Sequence, residues 1–228
     1  MNRFIIPLSL LIVLLLSTIT SYAQDNILWL HYFNSYKLTY KFSVDSDIGY
    51  RTDLFGQERW QYRSGIKYQA TNNLQLRAGV MYVHGNSPRT EFRPYQDIII
   101  NNRINSLIIS NRVRFEQQVF NNAPTNFRIR YNPTLKVPTQ LGVLSIGTEP
   151  FINTNSWDEI RITSNRIYFG VSRNMMKNTM ITLQYINEKT FTSSEISPFE
   201  QTHFIRLKID HKIHPLESKS LFKRKKKR

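Results

Sequence analysis

Residues 110–118 read SNRVRFEQQ, and the even positions from Ser110 to Gln118 carry Ser, Arg, Arg, Glu and Gln, while Val113 and Phe115 fall between the charges. A helix advances about 100° per residue and would scatter Arg112, Arg114 and Glu116 around its circumference. A strand puts all three on one face and leaves the apolar residues on the other. The stretch therefore reads as a two-faced strand, and the fold depends on which face meets water or protein and which meets something apolar.

The same period of two recurs along the chain. Leu38, Tyr40, Phe42 and Val44 alternate with Thr39, Lys41, Ser43 and Asp45; Leu74, Leu76, Ala78, Val80 and Tyr82 alternate with Gln75, Arg77 and Gly79. Phe127, Ile129 and Tyr131 oppose Arg128 and Arg130, and Ile205, Leu207 and Ile209 oppose Arg206, Lys208 and Asp210. The pattern predicts ten strands, at 38–51, 60–70, 74–84, 91–100, 106–120, 127–138, 146–154, 161–173, 179–189 and 202–213. Most reach the roughly 9–11 residues of a tilted membrane strand. Thr71 to Asn73, Asn101 to Asn105 and Asn174 to Asn178 read as short turns. Thr52 to Arg59, Gly85 to Thr90, Asn121 to Asn126 and Thr190 to Gln201 read as longer loops. Short turns at one end and longer loops at the other are the habit of outer-membrane barrels. Ten strands would return both ends of the barrel to the periplasmic side. Ile27 to Phe33 (ILWLHYF) is read as an N-terminal extension, with twelve strands as the alternative count.

Energetics orient the faces. With the charged face outward, Arg51, Arg63, Lys67, Arg77, Arg93, Arg112, Arg114, Arg128, Arg130, Arg166, Arg206 and Lys208 would point at lipid. At about 2 kcal/mol each, the low end for a mid-bilayer cation, they would cost on the order of 24 kcal/mol, more than the ~5–15 kcal/mol by which proteins are stable. The charged face is therefore expected to line a lumen, where Asp45, Asp47, Glu91, Asp97, Glu116, Glu149, Glu188 and Asp210 oppose those cations. Tyr40, Tyr50, Tyr62, Tyr68, Tyr82, Tyr131 and Tyr185 fall on the apolar faces, as interfacial girdles require. The competing architecture is a soluble β-sandwich, which would bury one face against a second sheet.

The first residues, MNRFIIPLSLLIVLLLSTITSYAQ, have a positive Arg3, an apolar core from Phe4 to about Ile19 and small residues before Gln24. They read as a signal peptide of residues 1–23, cut after Ala23. The domain organisation expected is thus 1–23 signal peptide, 24–37 extension, 38–213 barrel and 214–228 basic tail. With no cysteine, the chain is neither disulfide-stapled nor a lipoprotein. The net charge of +15 is concentrated at the end, where Lys219, Lys223, Arg224, Lys225, Lys226, Lys227 and Arg228 meet no acid. Such a block is either a solvated, disordered segment or a contact for an anionic surface. Export argues against nucleic acid, and leaves anionic lipid or an envelope polymer as the partner of Lys223 to Arg228.

The stretches Lys37 to Lys41 running into Arg51, Glu91-Phe92-Arg93, Asn111 to Gln118, Phe127 to Tyr131 and Glu149-Pro150-Phe151, together with Trp29, resemble the domain-of-unknown-function 2490 family. The resemblance runs from about residue 27 to 213. It implies an exported outer-membrane β-barrel and assigns no activity. Gln118 stands where the pattern leads one to expect another arginine, and the basic tail extends past the last strand.

Signatures of familiar chemistry are missing: there is no G-x-S-x-G, H-E-x-x-H or G-x-x-x-x-G-K-[ST]. His31, His84, His203, His211 and His214 are scattered. His211 and His214 would face opposite sides of a strand, so no metal site and no cofactor are expected. A barrel-rim lipid enzyme would have to use His84, Ser87 and Glu91. The candidate site is instead the lumenal charge network of Glu91, Arg93, Arg112, Arg114, Glu116, Arg128, Arg130, Glu149, Arg206 and Lys208, with Glu116 paired to Arg128 or Arg130. Ion pairs could simply fill the interior, or an excess of four positive charges could make a narrow path for small anionic solutes. The sequence thus predicts an all-β, antiparallel transmembrane barrel of the Gram-negative outer membrane. Its role would be non-enzymatic, in envelope structure or limited anion passage. A rim enzyme and a soluble periplasmic ligand-binding protein are the alternatives.

Overall fold

The structure is a computed structural model that describes residues 25–213, except 54–55, 87–89, 122, 155–159 and 193–198. The predicted signal peptide, Ser87, His214 and the basic tail lie outside the described residues. Among the described residues, eleven strands form one closed barrel. In chain order they are β1 (Asp25–Lys37), β2 (Phe42–Thr52), β3 (Glu58–Gln69), β4 (Leu74–Gly85), β5 (Glu91–Ile104), β6 (Leu107–Phe120), β7 (Ala123–Thr139), β8 (Gly142–Thr154), β9 (Ile160–Met176), β10 (Thr179–Phe191) and β11 (Phe199–Ile213).

The count corrects both ten and twelve. The segment read as an extension is β1, and it occupies the seam: Trp29 pairs with Arg51 of β2 on one side and with Arg206 of β11 on the other. Consecutive strands run antiparallel, so an odd number leaves the first and last pointing the same way. The closing pair β1·β11 is accordingly parallel, and the barrel is mixed rather than purely antiparallel. The start of β1 and the end of β11 therefore lie at opposite ends of the barrel, not at one end as ten strands would require.

The connections also differ from expectation. One end carries 38–41, 70–73, 105–106, 140–141 and 177–178; the other carries 53–57, 86–90, 121–122, 155–159 and 192–198. Most connections are shorter than the sequence suggests, because asparagine-rich stretches that read as turn or loop are paired strand. Asn101 and Asn102 sit opposite Ser110 and Ile109. Among the described residues Asn105 is the one non-glycine with a positive φ, 54°, where asparagine is tolerated and a two-residue hairpin needs it.

Polarity is inverted relative to a water-soluble domain. Asp47, Asp97, Arg114, Glu116 and Glu149 are buried inside the barrel, with Arg114 only 1% exposed. Ile66, Leu183, Ile167 and Phe115 stand exposed on its outer surface, Ile66 at 56%. The faces fall as the alternation of SNRVRFEQQ requires: Arg114 and Glu116 inward, Val113 and Phe115 outward.

Candidate functional site

Arginine and carboxylate side chains interleave on the inner wall, so guanidinium forks meet acids on the same strand or one or two strands away. From Asp45 of β2, contacts run through Arg77 (3.5 Å) to Asp97, and Arg77 Nε donates to Asp97 Oδ2 at 2.7 Å. Arg114 donates to both Asp97 oxygens, at 2.6 and 2.9 Å, and reaches Glu116 at 3.4 Å. Glu116 also accepts from Arg128 Nε at 2.8 Å and Arg130 Nη1 at 3.0 Å, so it pairs with both predicted partners. Arg130 continues to Glu149 at 2.8 Å, which Arg112 also reaches at 2.6 Å. Arg166 lies 3.8 Å from Glu149 and 2.8 Å from Glu188. One ionic chain thus passes around the wall from β2 to β10.

Other candidates lie beside this chain. Glu91 accepts from Arg59 and from Arg93, whose Nε is 2.5 Å away, and Gln118 adds a weaker contact at 3.4 Å. Gln118 therefore keeps a place in the network despite lacking an arginine's charge. Lys208 pairs with Asp210 at 2.6 Å and does not join the main chain. Nor does Arg206, which donates to His31 Nδ1 and, at 3.3 Å, to Gln184. A guanidinium only donates, so His31 Nδ1 is the acceptor; the ring is the neutral tautomer whose Nε2–H donates to Asp47 at 2.8 Å.

Aromatic residues on the same inner face lie outside the candidate site read from the sequence. Phe151 lies under three guanidiniums, with Arg130 at 4.6 Å, Arg166 at 4.7 Å and Arg128 at 5.1 Å from its centroid. Tyr95 serves Arg114, at 4.5 Å, Arg77 and Arg63 in the same way. Ring faces attract cations and fill volume without adding a competing charge. The available signal was strand parity: Tyr95 shares the parity of Glu91, Arg93 and Asp97, and Phe151 that of Glu149.

A cavity of about 630 Å³ occupies the lumen toward the loop end, where Asp53, Gln57, Glu58, Thr190 and Thr202 form part of its lining. Among the described residues, twelve arginine or lysine side chains line it against five carboxylates: Asp53, Glu58, Glu91, Glu149 and Glu188. A second cavity of about 340 Å³ lies at the turn end, among Lys37, Lys41, Lys67, Lys212 and Asp210; Phe33 borders both.

The rim-enzyme residues are not brought together. His84 is exposed on the outer surface beside Tyr82, whereas Glu91 is inside and held by two arginines. His211 is also on the outside, hydrogen-bonded to Tyr32 at 3.0 Å. Among the described residues, no group of three His, Asp or Glu side chains could hold a metal ion.

The family model described as a protein of unknown function (DUF2490) matches residues 26–197. The chain belongs to the DUF2490 family. The match takes in β1 through β10, while β11 lies beyond the matched residues. No curated protein matches this DUF2490 protein in sequence.

Proposed function

We propose that this DUF2490 protein is an exported outer-membrane barrel whose positively charged lumen admits small anionic solutes, without enzymatic chemistry of its own. The observation that carries this reading is the inversion of polarity. Exposed aliphatic and aromatic side chains cover the outside, where soluble monomers rarely show apolar patches beyond a few hundred Å². The strands are 11 to 17 residues long, enough to cross a bilayer when tilted. The excess of cations in the loop-end cavity supports the choice of anions.

In this reading the turn end faces the periplasm, and residues 214–228, which follow Ile213, meet anionic lipid or an envelope polymer there. A second reading, envelope structure alone, draws on the continuous ionic chain, which could be filling for the interior. Membrane fractionation with heat-modifiable gel migration tests the location, and recovery in the soluble periplasm would overturn it. Purified protein in a planar bilayer under a KCl gradient should show small steps whose reversal potential favours chloride. Silence there would leave the scaffold reading.

A further inference from the structure

The ionic chain that circles the wall breaks at the seam. Nine of the eleven arginines lining the large cavity contact a carboxylate; Arg51 and Arg206 make no such ion pair among the described residues. These two are register neighbours of Trp29 on β2 and β11, and their guanidiniums lie 3.9 and 4.0 Å from the indole centroid. Two like charges therefore sit within about one Debye length, ~8 Å at physiological salt, and neither is directly ion-paired among the described residues.

Some of the donors are unsatisfied as well, although Arg206 Nη1 and Nη2 already donate to Gln184 and His31. Arg51 Nε, Arg206 Nε and Trp29 Nε1 are buried and have no hydrogen-bond acceptor among the described residues. Buried donors in native structures almost always have one. Gly49 keeps the indole edge uncovered, since a Cβ there would lie 3.0 Å from Nε1. Asp47, the acid reached through His31, already accepts from Arg63 at 2.5 Å and Gln61 at 3.1 Å.

We propose that Arg51, Trp29 and Arg206 form a binding site for a small tetrahedral oxyanion, phosphate or sulfate, free or as the terminal group of a small organic phosphate. Guanidinium forks match oxyanion geometry, and a cluster that offers only donors selects an acceptor-rich anion over chloride. The inference rests on the anion-admitting lumen only for the route of entry, through the loop-end cavity.

The site carries its own reporter, because Trp29 is one of three tryptophans and the other two can be changed to phenylalanine (Trp60→Phe, Trp157→Phe). In the folded full-length protein, inorganic phosphate at ionic strength fixed with KCl should change Trp29 emission saturably. Arg51→Gln or Arg206→Gln should weaken the apparent affinity at least tenfold. Should either fail to fold, Gln184→Glu keeps every arginine and offers Arg206 an internal carboxylate, and it should weaken phosphate to a similar extent. Competition by glycerol 3-phosphate would identify an organic phosphate as acceptable; its absence would identify the free ion. A response that KCl alone reproduces, or folded variants that titrate like the parent, would overturn the site. Saturable binding without bilayer conductance would keep the site and remove the passage. Chloride-selective conductance without saturable binding would do the reverse.

Discussion

Arg114 grips Asp97 with a two-point fork, Nε to Oδ1 at 2.6 Å and Nη2 to Oδ2 at 2.9 Å, and both side chains are at most 2% exposed. Breaking a buried pair from one side leaves the other charge uncompensated, a loss of about 3–5 kcal/mol. Arg114→Met is therefore expected to lower stability by about that amount in denaturant titrations of the folded barrel. Adding Asp97→Asn should cost less than the sum of the two single changes, by about 0.5–3 kcal/mol. Simple additivity would mean that the fork contributes nothing specific.

Tyr95 lies over a pair of glycines, Gly65 of β3 and Gly79 of β4, which face each other in the register. A Cβ on either would sit 2.7 Å from the Tyr95 hydroxyl oxygen. Gly79→Val should thus displace the ring on which Arg114, Arg77 and Arg63 rest, with a cost of about 1–3 kcal/mol from overpacking. Combining it with Tyr95→Phe should recover only part of that loss, because the added carbons also crowd the Ser64 backbone. Thermal unfolding followed by heat-modifiable migration reads both changes.

At the mouth of the cavity Arg59 is one of the more accessible members of the network, its side chain 33% exposed beside Glu91. Glu91 is buried but keeps Arg93, and an accessible guanidinium adds only about 0–1 kcal/mol, so Arg59→Gln should fold normally. It removes one of twelve cations from the lining, and the reversal potential in a KCl gradient should shift toward zero. An unchanged potential with intact folding would separate ion selectivity from the loop-end wall.

Most of the barrel was legible in the sequence because its two faces differ so sharply. Wherever Arg, Lys, Asp or Glu alternates with Ile, Leu or Phe, as along Arg112 to Gln118, parity alone assigns the inner wall. That parity places Glu116 on the same wall as Arg128 and Arg130. The signal failed where the inner face is itself aromatic. In β1, Trp29 points inward between outward Leu28 and Leu30, so ILWLHYF reads as one apolar run and hides its period of two. The Arg51–Trp29–Arg206 cluster was invisible for a related reason, since it exists only once β11 closes against β1, and no local pattern announces a contact between the first and last strands.

That closure is open to direct test. Leu30 and Leu207 are partners in the parallel register of β1 and β11, and both are exposed on the outer surface, at 41% and 38%. The chain has no native cysteine, so Leu30→Cys with Leu207→Cys introduces the only thiols. Parallel neighbours lie about 4.8 Å apart, within the Cα separation a disulfide accepts. Mild oxidation should cross-link the chain and preserve the folded band on a gel without reductant. Leu30→Cys paired with Arg206→Cys, one residue out of register, points its second thiol into the lumen and should not form the bond. Equal cross-linking of both pairs would mean that β1 is not fixed in the seam, and deletion of residues 24–37 would then leave a folded barrel instead of abolishing it.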